Sequence, residues 1–142
     1  MGGFNFVHVN RGGAEAENRL AGCVRAEIEV DADAPTHDLC AVLSQVTPDG
    51  RAVTLTQGYL RVADSRAPGP RIVAMRALCA NVPAGAALRL SLQRSSFPAF
   101  VVNPGTGAGD ADARPFDSRI VTLTLHGGGA RASRVMLPVE RA

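Results

Sequence analysis

The stretch Leu88–Gly107, LRLSLQRSSFPAFVVNPGTG, decides the fold class. Its first six residues alternate apolar and polar side chains, which is the pattern of a strand with one face on a core and the other in water. The strand ends before Pro98, because proline has no N–H to donate to a sheet ladder. The residues from Asn103 to Gly107 have the composition of a tight turn. Together these features indicate β architecture.

Similar runs recur along the chain, and turn residues separate them. The run at 38–46 is almost continuously apolar, which is typical of a central strand covered on both faces. Gly58 interrupts another run, which predicts a bulge or a close backbone approach. Seven or eight short strands without a helical period predict an all-β fold, either an antiparallel β-sandwich or a jelly roll. The predicted strands are 4–9, 22–30, 38–46, 53–62, 71–78, 88–93, 119–126 and 133–139.

Length and composition fit one domain. The chain has 142 residues without internal repeats or a linker, so we expect a single domain over 1–142, with 1–19 as a lead-in. Hydrophobic residues make up 46% of the chain, enough for a core without a disulfide or metal. A net charge of +2, spread along the chain, does not predict a nucleic-acid partner. No apolar run approaches the roughly 20 residues of a membrane span, so we expect no membrane contact.

The three cysteines, Cys23, Cys40 and Cys79, are widely spaced. Each lies in an apolar or strand-like run, so we expect reduced thiols buried in the core. Such thiols suit a reducing compartment, and the use of arginine without lysine indicates a GC-rich bacterial genome. We therefore expect a bacterial cytoplasmic protein, unless a longer parent chain carries an export signal. The histidines show no zinc-ligand spacing with the cysteines, so no metal or cofactor is expected.

We expect no catalytic centre in this chain. The GxSxG motif of a nucleophile elbow does not occur, and Ser95-Ser96 precedes a Phe-Pro corner rather than a helix. His37-Asp38 is the only adjacent base–acid pair, but neighbours on a strand point to opposite faces. We expect Asp38 instead to accept backbone N–H groups at the turn into its strand.

Several motifs in order resemble the C-terminal β-domain of X-Pro dipeptidyl-peptidase and cocaine-esterase-type (CocE/NonD) serine hydrolases. The resemblance covers about 20–139. SSFPAFVVNPGTG at 95–107 matches the family pattern SSFP-x-F followed by NP-x-TG, and PDGRAVTLTQGYLR at 48–61 matches PDGR-x-x-x-LT-x-G-x-LR. SRVMLPV at 133–139 looks like the family's closing S-x-V-x-LPV. One departure is Ala86, where the family usually has histidine.

The resemblance implies a jelly roll similar to galactose-binding domains, and a non-catalytic accessory role. In such hydrolases the Ser-Asp-His residues lie in an upstream α/β-hydrolase domain. That domain, in the same parent dipeptidyl-peptidase or acyl-ester hydrolase, would be the partner of this chain. The chain would pack on it and shape the substrate cleft, or form the interface of a homo-oligomer. The alternative is a free-standing carbohydrate- or ligand-binding module.

A binding surface, if the chain has one, is expected at 97–100 and 103–109, because partners are met by loops at the end of a sandwich. The candidate binding residues are Phe97, Phe100, Asn103 and Thr106. The competing interpretation is a turn that only closes the sheet.

Overall fold

The alternating stretches of the sequence form antiparallel strands in the computed structural model, which describes residues 7–11, 17–107, 109 and 112–140. The all-β prediction is thereby confirmed, whereas the jelly-roll connectivity stays a prediction. The helices of this part are two short 3-10 turns, and none could cross a membrane. The strands are β1 (Val7–Arg11), β2 (Asn18–Ala32), β3 (His37–Val46), β4 (Ala52–Val62), β5 (Arg71–Val82), β6 (Ala87–Gln93), β7 (Leu123–His126) and β8 (Arg134–Met136).

The strands are joined in the order β1-β6-β3-β4-β5-β2-β7, and β8 also pairs with β2. β4 and β5 pair at one position, Gly58 opposite Met75, so the sheet curls there into two facing layers. A Cβ on Gly58 would lie 2.4 Å from the carbonyl oxygen of Ala74. This contact explains why glycine interrupts an alternating strand, and it confirms the predicted close backbone approach.

The core lies between the two layers and is almost entirely aliphatic, as the scarcity of aromatic residues requires. β3 is the central strand of its layer, between β6 and β4, and its first five residues are all buried. Full burial of one aliphatic side chain contributes about 1.5–3 kcal/mol. The main cluster consists of Val24, Ala26, Ile28, Val30, Leu39, Ala41, Leu43, Val73, Met75, Leu90 and Leu92.

The expectation of three buried cysteines is wrong for two of them. Cys40 is buried on β3, but Cys23 and Cys79 are exposed, because they lie on the outward sides of β2 and β5. The alternation of β2 places the neighbouring Val24 in the core instead. All three cysteines are free.

The connection from β6 to β7, residues 94–122, is called the crossover below; 108, 110 and 111 lie outside the described residues. The strand predicted at 119–126 begins only at Leu123. Upstream of it, the Arg119 amide donates to the Pro104 carbonyl at 3.0 Å, and the Thr122 amide donates to Asp33 Oδ1 at 2.8 Å. These residues therefore bond to loops instead of a neighbouring strand.

Candidate functional site

The crossover is fixed onto the outward side of β4. The ring of Phe100 stacks on that of Tyr59, with centroids 3.9 Å apart and planes 5° from parallel. Arg61 Nη2 donates to the Val101 carbonyl at 3.1 Å. Stacking and hydrogen bonding together give this loop a defined position, although loops of its length are often variable.

Asp38, at the start of β3, is the anchor of this contact. Its side chain is 1% exposed, and Arg61 donates from Nε and Nη2 to its two oxygens at 3.0 and 3.1 Å. The Tyr59 hydroxyl and the Asn103 amide each donate to it at 2.9 Å. A buried carboxylate needs such donors, because desolvation of an unpaired charge is costly. These donors are side chains of β4 and the crossover, so the prediction of backbone donors to Asp38 is wrong.

The anchoring interactions extend from Asp38 into the turn that follows. Asn103 Oδ1 accepts hydrogen bonds from the Gly105 amide at 2.9 Å and from Thr36 Oγ1 at 3.1 Å. Gly105 has φ of 74°, a conformation that glycine adopts without strain. Burial, followed by the hydrogen bond to Asp38, raises the pKa of Tyr59 to about 12, so its hydroxyl remains a donor at neutral pH.

The structure brings the four candidate binding residues to one end of the sandwich. Phe100 and Asn103 make the contacts just described, Thr106 is half-buried in the same turn, and Phe97 is 74% exposed. Phe100 and Asn103 therefore have anchoring roles within the domain. Binding by any of the four stays a prediction.

The crossover also carries a group of exposed apolar side chains. Phe116 is 97% exposed and Ile120 89%. The two segments that carry this group lie side by side, since Arg119 bonds Pro104 and Arg94 Nη1 donates to the Val121 carbonyl at 3.0 Å. Sequence reasoning missed both: Phe116 is an apolar residue within a polar segment, and Ile120 falls within the strand predicted at 119–126. We call the group the crossover patch: Phe97, Phe100, Val101, Val102, Phe116 and Ile120.

The outward side of β2 is charged, in contrast to the crossover patch. Arg131 donates to both oxygens of Asp31 at 2.8 and 2.7 Å, and Nε2 of His126 lies 2.8 Å from Asp31. The hydrogen bond from Arg131 is the main reason that the pKa of the Asp31 carboxyl lies well below its usual range. A charged and exposed surface of this kind favours contact with water.

The described residues contain no Ser-His-acid arrangement. His126 pairs with Asp31, but the hydroxyl of Ser133 donates to the backbone carbonyl of His126 instead of contacting its ring. Nδ1 of His37 lies 2.8 Å from Ser65 Oγ, yet this ring is 1% exposed, and burial lowers its pKa. A substrate has no access to such a base. The described part of the chain also contains no group of three or more His, Cys, Asp or Glu suited to a metal ion.

The described part of the chain is thus an all-β domain with an apolar loop surface and without a Ser-His-acid arrangement. The sequence comparison is more specific, since residues 14–136 match the profile of the X-Pro dipeptidyl-peptidase C-terminal non-catalytic domain. The chain belongs to that family, and the resemblance seen in its motifs is confirmed. No curated protein sequence is significantly similar to it.

Solved structures of larger hydrolases contain the same fold. An aminopeptidase from a marine sediment archaeon (Thaumarchaeota archaeon) matches with a TM-score of 0.85 at 16% identity. The match covers 96% of this chain and 26% of the aminopeptidase chain. An alpha-amino acid ester hydrolase has a TM-score of 0.85 at 17% identity, covering 95% and 25%. A CocE/NonD family hydrolase from Staphylococcus aureus has a TM-score of 0.62 at 13% identity, covering 98% and 33%. This chain thus spans a third or less of each of these proteins.

Proposed function

We propose that this chain is the C-terminal accessory domain of a larger serine hydrolase similar to X-Pro dipeptidyl-peptidases and cocaine esterases. The activity of the parent, dipeptidyl-peptidase or acyl-ester hydrolysis, would reside in an upstream α/β-hydrolase domain. Membership of a non-catalytic domain family supports this proposal. So does the length of the hydrolases with a similar fold, which extend far beyond the region that this chain covers.

The crossover patch is the surface that we propose docks on the catalytic domain. The observation that carries this proposal is the near-complete exposure of Phe116 and Ile120, on the same crossover as four other exposed apolar residues. Burial of each such side chain is favourable by about 1.5–3 kcal/mol, and contiguous apolar patches on soluble proteins mark interaction sites. The Asp38 network supports the same role, because it holds one half of the patch in place before a partner arrives.

The same docking would also give this chain a role in shaping the substrate cleft. Phe97 is exposed at a corner of the crossover whose next aromatic residue, Phe100, is fixed on Tyr59. In a docked domain this corner would contribute an apolar wall to the cleft of the catalytic domain. Self-association through the crossover patch is the competing outcome, and the experiment below distinguishes it.

Titration calorimetry with the separately produced catalytic portion of the parent tests the docking. The double variant Phe116→Ser/Ile120→Ser should bind at least tenfold more weakly, because it removes the most exposed apolar contacts. Val53→Ser is the matched control, since Val53 is 56% exposed at the other end of β4 and should leave binding unchanged. Equal binding by the double variant would contradict the docking surface. Concentration-dependent dimerisation that the double variant abolishes would establish the homo-oligomer instead.

A further inference from the structure

A groove of about 200 Å³ lies on the outward side of β3 and β4, next to the crossover patch. Its floor is formed by small or apolar residues, namely Val42, Gly58 and Ala74. The rings of Tyr59 and Phe100, stacked on each other, form one wall. An apolar floor with a few polar groups at the rim is the usual composition of a small-molecule site.

Three long polar side chains border this groove: Gln57, Arg76 and Gln93. Within the described part of the chain, the amide groups of the two glutamines and the guanidinium of Arg76 take part in no side-chain hydrogen bond. The side-chain hydrogen bonds of the same strands are made by other residues, such as Thr56, Tyr59 and Arg61. Gln57 and Arg76 are exposed and Gln93 is half-buried, so all three groups are accessible from solvent. The groove is thus bordered by donors that a ligand can engage.

The charge of the groove is positive. Arg76 is the one ionised side chain among the described residues that line it. Burial raises the pKa of Cys40 to about 11 and that of Tyr59 to about 12, so the thiol and the hydroxyl stay neutral. Asp38, which accepts a hydrogen bond from the wall residue Tyr59, is itself paired with Arg61. A ligand with a negative charge therefore meets a cation at the rim without a competing anion.

We propose that the groove binds a small carboxylic acid in its ionised form. Its carboxylate would lie at Arg76 and the two glutamine amides, and its apolar body on the floor at Val42 and Ala74. A groove of about 200 Å³ has room for one carboxylate with a short alkyl body. Binding by the isolated chain needs no partner domain, although Phe100 belongs to both the groove and the crossover patch.

The probe is sodium hexanoate, which has the required charge and a short alkyl body. Tyr59 is the only tyrosine of a chain without tryptophan, so its fluorescence reports directly on the groove wall. We expect a saturable fluorescence change in the millimolar range at constant ionic strength. Hexanamide, which has the same shape without the charge, should bind at least fivefold more weakly. Absence of a saturable change with hexanoate, or equal binding of hexanamide, would overturn the proposal.

Arg76→Gln should weaken hexanoate binding at least fivefold, because it removes the cation and keeps a polar side chain. Arg134→Gln is the matched control, as it removes an exposed arginine from β8, away from the groove, and should bind normally. Val42→Phe fills the floor and should abolish binding. Thermal melts of all three variants establish that they are folded. Undiminished binding by folded Arg76→Gln or Val42→Phe, or an equal loss in Arg134→Gln, would overturn the proposal.

Discussion

Asp38 shows at the scale of single residues how one buried charge positions a surface loop. Its carboxylate joins β3 to β4 through Arg61 and Tyr59, and to the crossover through Asn103. The sequence predicts the turn at Asn103, because asparagine, proline and glycine favour it locally. It does not predict the contact with Asp38, because these two residues are 65 positions apart and meet only after the strands have paired.

Replacement of Asp38 by asparagine tests this role. Asp38→Asn should lower the free energy of unfolding by about 2–3 kcal/mol, somewhat less than loss of one partner costs a fully buried ion pair, because Arg61 is partly exposed. Urea denaturation measures the difference. Asp117→Asn, an exposed control in the crossover, should change stability by less than about 0.5 kcal/mol. Equal stabilities of the two variants would show that Asp38 is not the anchor.

The cysteines give a second prediction at the residue scale. A thiol reagent such as Ellman's reagent at pH 8 should modify Cys23 and Cys79 rapidly, because both are exposed. Cys40 should react only on unfolding, since burial restricts access and raises its pKa to about 11. The measurement is the number of thiols modified before and after addition of denaturant. Rapid modification of all three in the folded protein would contradict the burial of Cys40.

Alternation predicted most strands at the scale of secondary-structure elements, because a side chain on a half-buried strand must face either the core or water. β6 agrees closely with its predicted bounds, and the buried β3 agrees equally well. β7 is shorter than predicted because 119–122 bond to loops that are distant in sequence. An apolar and β-branched composition does not show whether a segment will bond to a neighbouring strand or to a loop.

Gly58 provides a test of how β4 meets β5. Gly58→Ala should destabilise the domain by about 1–3 kcal/mol, because the new methyl group would clash with the backbone oxygen of Ala74. Gly127→Ala is the control, since a Cβ at that exposed position meets nothing within 4 Å. Denaturant midpoints of both variants measure the difference. An unaltered midpoint for Gly58→Ala would mean that the two strands do not approach so closely.

His37, at the start of β3, should make the free energy of unfolding depend on pH. Burial, reinforced by Arg71, lowers the pKa of His37 from its usual 6.5. Below about pH 6.5 the unfolded chain therefore binds a proton that the folded chain does not, and stability should fall as the pH falls. His37→Gln should flatten the decline below pH 6.5, as measured by urea midpoints. Asp31 affects the pH dependence of stability only at lower pH, because the pKa of its carboxyl is lowered from the ordinary value. An unchanged slope in His37→Gln would contradict the assignment.

The whole molecule has two unlike surfaces, the charged side of β2 and the apolar crossover patch. Sequence motifs predicted the family, because several of them occur in the right order. They did not predict that Phe116 and Ile120 face outward, since exposure depends on packing between distant segments. An exposed apolar patch on a domain of this non-catalytic family is what the proposed docking on a catalytic domain requires.

The mass of the native polypeptide tests this central claim most directly. An antibody against the domain, applied to extract of the source cells and combined with peptide mapping, measures it. We predict a band much heavier than 14.8 kDa, with upstream peptides that contain a GxSxG sequence. A band at 14.8 kDa without upstream peptides would contradict the account and establish a free-standing domain.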